Sequence, residues 1–252
     1  MHPHTFYSSL FDRNKRDEAF VIMSFAAEFH ARWNDVLLPA IESDLGLKAN
    51  RVDYNLSGES IVHDILDGIA NARLVIADIT STHMSDPSGV LWPQRNGNVM
   101  WEVGIAHTMR LPDEVIMVRS DDDPSIFDLT QFRAFNYDPT NAAAARQIVS
   151  YLAQDRLKNL ELTKQRKVTE AIESLDADSL TLIVAHRKHD YFSVNRASTI
   201  GDAMSEMAAG TKPAVRHLLS LGMIRCDVAM SSNAYAYNWT DFGRAVIQAI
   251  EL

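Results

Sequence analysis

Short apolar runs alternate along the first 157 residues with stretches in which apolar side chains recur every three or four positions. That alternation predicts a parallel sheet covered by helices. Residues 19–25 read as a buried strand. Phe29, Trp33, Val36, Leu37, Ala40 and Ile41 mark the apolar face of a helix that closes at Leu45 and Gly46, with Pro39 expected to kink it. A short strand near residues 51–53 follows, then a helix whose face carries Ile61, Ile65, Leu66, Ile69 and Ala72, and a strand at 74–78. A helix from about 99 to 109, strands at 114–119 and, more weakly, at 135–137, and a helix at 142–157 complete the pattern.

The remainder is patterned differently. A polar stretch from Asn159 to Lys167, without Pro or Gly, marks the expected boundary, so the division is 1–158 and 159–252. Residues 180–185 fit a helix or a strand by periodicity alone. Residues 198–207 and 212–221 look helical, with Thr211 placed to cap the second and Pro213 tolerated in its first turn. A hairpin over 226–239 with its tip at 230–234, then a helix at 240–250, make a winged-helix domain the best fit.

Composition narrows the function classes. The chain has 252 residues, 46% of them hydrophobic, which is enough for a substantial core. The net charge of −9 argues against broad coating of DNA or anionic membrane, and most of the acidity lies in the first 164 residues. One cysteine, Cys226, excludes an internal disulfide. No apolar run approaches the roughly 20 residues of a membrane span, and the first residues lack a signal-peptide layout. A cytoplasmic setting with no membrane contact is expected.

Ligands of open parallel sheets gather beyond the carboxyl ends of the strands. The polar residues there are Ser24, Asp53, Asp78, the Asn96-Gly-Asn98 turn and Arg119. Asn96-Gly-Asn98 can start a helix and present backbone N–H groups, Glu102 lies one turn past Asn98 and faces the same opening, and Gly104 is expected to permit close backbone approach. Asp121-Asp-Asp123 reads as a solvated loop. His83, His107, His186 and His189 lack ligand spacing, so no metal site and no cofactor are expected, and no phosphate-binding Gly-x-x-x-x-Gly-Lys-Ser/Thr loop occurs.

The series Phe20-Val-Ile-Met-Ser-Phe25, Arg51-Val-Asp53, Ser57-Gly58, Ala77-Asp78-Ile-Thr80, Asn96 through His107, and Ile126-Phe-Asp-Leu129 resembles the nucleoside 2-deoxyribosyltransferase-like proteins, which share a flavodoxin-like, TIR-like fold. The resemblance covers roughly residues 18–138. It implies that Glu102 acts at the sugar of a nucleoside or nucleotide. By their own chemistry, Asp78 at a strand end is a candidate to bind the sugar or assist proton transfer to the leaving base, Ser24, Ser57 and Gly58 are candidates for phosphate contacts through hydroxyl and backbone N–H groups, and Trp101 is a candidate to pack near a base. Phe25, Asp53, Asn96 and Asn98 complete the expected substrate contacts. Many deoxyribosyltransferases carry aspartate where this chain has Asn96, which weakens the case for base exchange and leaves hydrolysis open.

Such a domain joined to a winged helix also resembles effectors of bacterial retron defence systems. The expected activity is an N-glycosidase acting on NAD or a nucleoside monophosphate, held in a homo-oligomer or in a complex with a regulatory protein or nucleic acid. Two alternatives remain open: a nucleotide-sensing winged-helix regulator without catalysis, and a deoxyribosyltransferase of salvage. Lys212, Arg216 and Arg225 are the candidate contacts to nucleic acid or a protein partner.

Overall fold

The first strand, β1 (Arg16–Ile22), sends alternate side chains into two different cores, the signature of a strand covered on both faces. Ala19 and Val21 pack on one side with Leu74, Ile76, Ile116 and Val118. Phe20 and Ile22 pack on the other with Val75, Ala77, Val115 and Met117. The computed structural model describes residues 15–52, 61–123, 133–195, 211–228 and 234–250.

Five strands form one parallel sheet: β1, β2 (Lys48–Asn50), β3 (Ala72–Asp78), β6 (Val115–Arg119) and β7 (Ala134–Asn136). Their order, β2-β1-β3-β6-β7, reverses direction between β1 and β3. This is the doubly wound, flavodoxin-like α/β arrangement, and the reversal opens a crevice at the carboxyl ends of β1 and β3. A helix over residues 27–44 covers the first face together with α3 (Ala142–Ser174), and α1 (Ile61–Asn71) and α2 (Gly97–Met109) cover the second.

Several expected boundaries move. β1 stops at Ile22, so Met23, Ser24 and Phe25 belong to the loop beyond it. β2 precedes Arg51 rather than containing it. The helix over 27–44 is wound loosely around Pro39, with π-helical turns at Arg32–Leu37 and Ala40–Asp44. Proline has no N–H to donate, and Leu38 bonds five residues back to Trp33, so the disruption is absorbed as wider winding. Gly46, with φ +67, ends the helix in the left-handed conformation expected there.

An antiparallel hairpin, β4 (Thr82–Ser85) and β5 (Leu91–Gln94), was not foreseen. Its turn is built by Asp86, whose carboxylate accepts from the backbone N–H groups of Ser88 and Val90, and by Gly89 at φ +85.

The amino-terminal edge of the sheet is fastened by buried ions. Arg110 is fully buried and donates to the carbonyls of Ile69, Ala70 and Arg73, while its Nε lies 3.1 Å from Glu114. Glu114 also pairs with Lys15. Gly68 brings α1 against the sheet, since a Cβ there would sit 2.3 Å from the Phe20 ring.

The chain divides into two units, Met1–Glu161 and Leu162–Leu252, and the division falls inside α3. The polar stretch from Asn159 to Lys167 is thus helical throughout. Leu160 belongs to a core of the first unit, whereas Val168, Ala171 and Ile172 join the core of the second unit.

In the second unit α4 (Ala177–His186) is a helix, capped by Asp176, whose carboxylate accepts from the N–H of Ser179 at 2.7 Å. A three-stranded antiparallel sheet of order β8-β10-β9 comprises β8 (Tyr191–Asn195), β9 (Ile224–Val228) and β10 (Ala234–Trp239). β8 was not anticipated. α5 (Thr211–Ser220) and α6 (Asp241–Ile250) complete the unit, the latter capped by Thr240 through the N–H of Gly243. The expected helix at 198–207 and residues 230–233 of the expected hairpin tip lie outside the described residues, while Ala234, placed in the tip, begins β10.

Candidate active site

A cavity of about 410 Å³ lies where the strand order reverses. The loop after β1 supplies Met23, Ser24, Phe25 and Ala26, the residue after Arg51 supplies Val52, α1 supplies Ile61, Val62 and Ile65, and α2 supplies Asn96, Asn98, Val99, Trp101 and Glu102. The volume is within the range of small-molecule pockets.

Asn96 organises the mouth. Its side-chain oxygen accepts from the N–H groups of Asn98 (3.0 Å) and Val99 (3.3 Å), capping α2. Its amide nitrogen donates to Ser24 Oγ at 3.4 Å, and the same hydroxyl accepts from the N–H of Ala26 at 3.3 Å. Asn96 and Ser24, expected as ligand contacts, therefore tie the α2 N-terminus to the β1 loop.

Glu102 stands four residues past Asn98, on the same helix face, and both line the cavity. Its carboxyl is half-buried among apolar walls, and this desolvation pushes its pKa up to about 7. Trp101 is 50% exposed and also lines the cavity, so its ring is a surface available for stacking and not a core filler. Gly104 does not serve close approach, because a Cβ there would meet nothing within 4 Å.

Asp78 is placed differently from the expectation. It is buried, and its carboxylate accepts from the N–H and hydroxyl of Thr80 and from the hydroxyl of Tyr137, with Arg32 Nη1 at 3.6 Å. It is absent from the described residues that line the cavity. Every carboxylate oxygen is occupied, which suits it to fastening β3 to β7 and the 27–44 helix rather than to proton transfer. Burial and the neighbouring Asp78 carboxylate together push the Tyr137 hydroxyl pKa well up, so it stays a donor.

Nor is Asp121 a solvated loop residue. Its carboxylate accepts from Arg95 Nη2 at 3.0 Å and from the N–H of Ser81 at 2.9 Å, and lies 3.3 Å from Arg119 Nη2. Arg119, a polar residue at the end of β6, also donates to the carbonyls of Asp121 and Asp123. The carboxyl edge thus separates into a polar lattice beyond β3 and β6 and an open cavity beyond β1.

Asp53, Ser57, Gly58 and the 126–129 motif lie outside the described residues. Sequence reasoning missed the apolar wall from α1, although Ile61 and Ile65 were recognised as one helix face, and it assigned no role to Arg51, which stood in a quoted motif. The Arg51 guanidinium lies 4.4 Å from the Trp33 ring centroid and 5.2 Å from that of Phe25.

In the second unit Lys212 and Arg216 are four residues apart on α5, and Arg216 is exposed, as is Arg225 on β9. Among the described residues no group of three His, Cys, Asp or Glu is arranged to hold a metal, and no helix is long and apolar enough to cross a membrane.

No protein-family model matches this chain, and no curated protein matches it. Among solved structures it is similar to a diflavin flavoprotein A3 from Nostoc sp., at 10% identity and a TM-score of 0.34, covering 59% of this chain and 99% of that one. A likeness this loose bears on neither ligand nor activity.

Proposed function

We propose that the protein is an N-glycosidase that releases the base from a nucleotide, with Glu102 as the carboxylate at the reacting sugar. The observation that carries this reading is a half-buried glutamate, with its pKa near 7, in a cavity at the strand-order reversal beside a capped helix N-terminus. The motif series shared with deoxyribosyltransferase-like proteins supports it.

In the proposed reaction the bond from C1′ to the base nitrogen breaks with its electron pair leaving on the base. Positive charge grows on C1′ and the ring oxygen, and the Glu102 carboxylate stabilises it or bonds to C1′. Water then supplies hydroxide to C1′, and its proton accounts for the one the base takes up. A poorly hydrated carboxylate interacts strongly with that developing charge. Trp101 and Phe25 offer faces for the base, and Asp78 acts by positioning the edge of the sheet.

The second unit, in this proposal, is a winged-helix module that places the enzyme in a regulated assembly of the kind retron effectors form. Incubating the protein with nucleoside monophosphates and NAD, and resolving free base by chromatography, tests the central claim. Base release that Glu102→Gln reduces a hundredfold or more supports it. Release only when an acceptor base is added indicates transfer, and tight binding without release indicates a sensor.

A further inference from the structure

We infer that Asn98 binds the 2′-hydroxyl of the sugar, so that the cavity takes ribonucleotides in preference to their 2′-deoxy counterparts; this rests on the reading of the cavity as a nucleotide site with Glu102 at C1′. Among the described residues the polar side chains that line the cavity fall into two groups. Ser24 and Asn96 bond to each other at 3.4 Å and accept from the backbone N–H groups of Ala26, Asn98 and Val99. Asn98, Trp101 and Glu102 make no side-chain hydrogen bond among the described residues. Asn98 meets Asn96 through its backbone N–H, which leaves the amide at the cavity wall unengaged.

These three residues stand at i, i+3 and i+4 on one face of α2, where neighbouring Cβ atoms are about 5–6 Å apart. A ligand therefore meets an amide, an indole and a carboxyl in one row. The wall contributed by α1, Ile61, Val62 and Ile65, offers it no side-chain hydrogen bond. An N-glycoside matches the row in one register. With Glu102 at C1′, the carboxylate lies on the ring face opposite the departing base. In a nucleoside the 2′-hydroxyl projects from that same face, on the carbon next to C1′. An amide one helical turn from the carboxylate is thus brought beside this hydroxyl, with the 3′-hydroxyl one carbon farther away.

The residue type fits as well as the place. A hydroxyl both donates and accepts, and an amide side chain offers one group of each kind, whereas a carboxylate only accepts. A second carboxylate one turn before Glu102 would also disfavour its ionised form, since like charges that close oppose each other. Asn98 supplies polarity beside the reacting carbon without adding charge. It is exposed in the open cavity, so water serves it when the ligand lacks the hydroxyl. The discrimination is therefore that of one net hydrogen bond and not that of a buried, unpaired group.

The test uses the full chain carrying Glu102→Gln, which blocks turnover, titrated calorimetrically with adenosine, guanosine, cytidine, uridine and nicotinamide riboside 5′-monophosphates and with their 2′-deoxy and 3′-deoxy counterparts. At least one ribonucleotide is expected to bind about three- to tenfold more tightly than its 2′-deoxy form, the range of a neutral hydrogen bond. Adding Asn98→Ala, which keeps the N–H that Asn96 caps, is expected to bring that pair within about 1.5-fold, and Asn98→Gln, which retains the amide, to restore part of the difference. Equal loss for both forms in a folded Asn98→Ala protein assigns Asn98 a structural role and overturns the inference. A preference that survives Asn98→Ala overturns it too, as does one that follows the 3′-hydroxyl instead, or binding by no member of the panel. Equal binding of ribo and 2′-deoxy forms overturns the inference alone if the chain with Glu102 intact still releases base. Failure of the glycosidase reading has a different signature, since the 2′-hydroxyl preference then persists and still depends on Asn98 while that chain releases none.

Discussion

Glu102 links stability and activity through one proton. Its pKa is about 7 in the folded chain against 4.5 when solvated, so between those values the folded state binds the proton more tightly. Stability from this group is fully present below pH 4.5 and is lost as pH rises through 7. Glu102→Gln, which carries no charge at any pH, is therefore expected to raise the urea midpoint relative to the parent chain at pH 8 and to leave it nearly unchanged at pH 5. Activity should run the other way if the carboxylate is the working form, with kcat/KM for base release rising about tenfold per pH unit below 7 and levelling above it. The contrast with Asp78 is equally testable. Tyr137→Phe removes a donor to the buried Asp78 carboxylate and should cost about 2 kcal/mol in denaturant titration, while kcat for base release stays within a few-fold. A displaced pH–rate profile in that variant would return Asp78 to the chemistry.

The helix that carries Glu102 depends on its first residue. Asn96→Ala removes the acceptor for two backbone N–H groups and the donor to Ser24, and is expected to lower stability by about 1 kcal/mol, whereas Asn96→Asp should retain the cap. Urea unfolding of the two variants checks this. Asn96, Asn98 and Glu102 were legible because the cap and the i, i+4 spacing are local properties of seven residues. The paired faces of β1 were equally legible, since a strand buried on both sides must be an unbroken apolar run. The partners of Asp78 and Asp121 were not: Tyr137 lies 59 positions from Asp78, and Arg95 lies 26 from Asp121, so no window of sequence joins them. The β4–β5 hairpin was missed for another reason. Its strands are four residues long and exposed, so they lack alternation, and the signal resides in the turn Asp86-Pro-Ser-Gly89.

At the scale of the whole molecule, two units packed around separate cores permit two separable responses. In the second unit a Cβ at Gly243 would lie 2.0 Å from the carbonyl oxygen of Met223, so the roughly 1 kcal/mol by which alanine favours a helix is outweighed by overpacking. Gly243→Ala is expected to destabilise the second unit by about 1–2 kcal/mol, read by calorimetry, with base release from the first unit unchanged. If Lys212, Arg216 and Arg225 meet phosphates, replacing all three by Ala should flatten the salt dependence of nucleic-acid binding by at most about 2.7 in log–log slope. An unchanged slope with lost self-association would identify a protein-docking surface instead.

The parallel pairing of β1 has a consequence for synthesis on the ribosome. Phe20 pairs in register with Val75, so β1 lacks that neighbour until 55 further residues have been made. At 5–20 residues per second this leaves the nascent chain about 3–11 s with the Phe20–Ile22 run waiting for its β3 partner. Throughout that interval chaperone capture competes with self-association, so the yield of folded protein is set partly by elongation speed between codons 22 and 78.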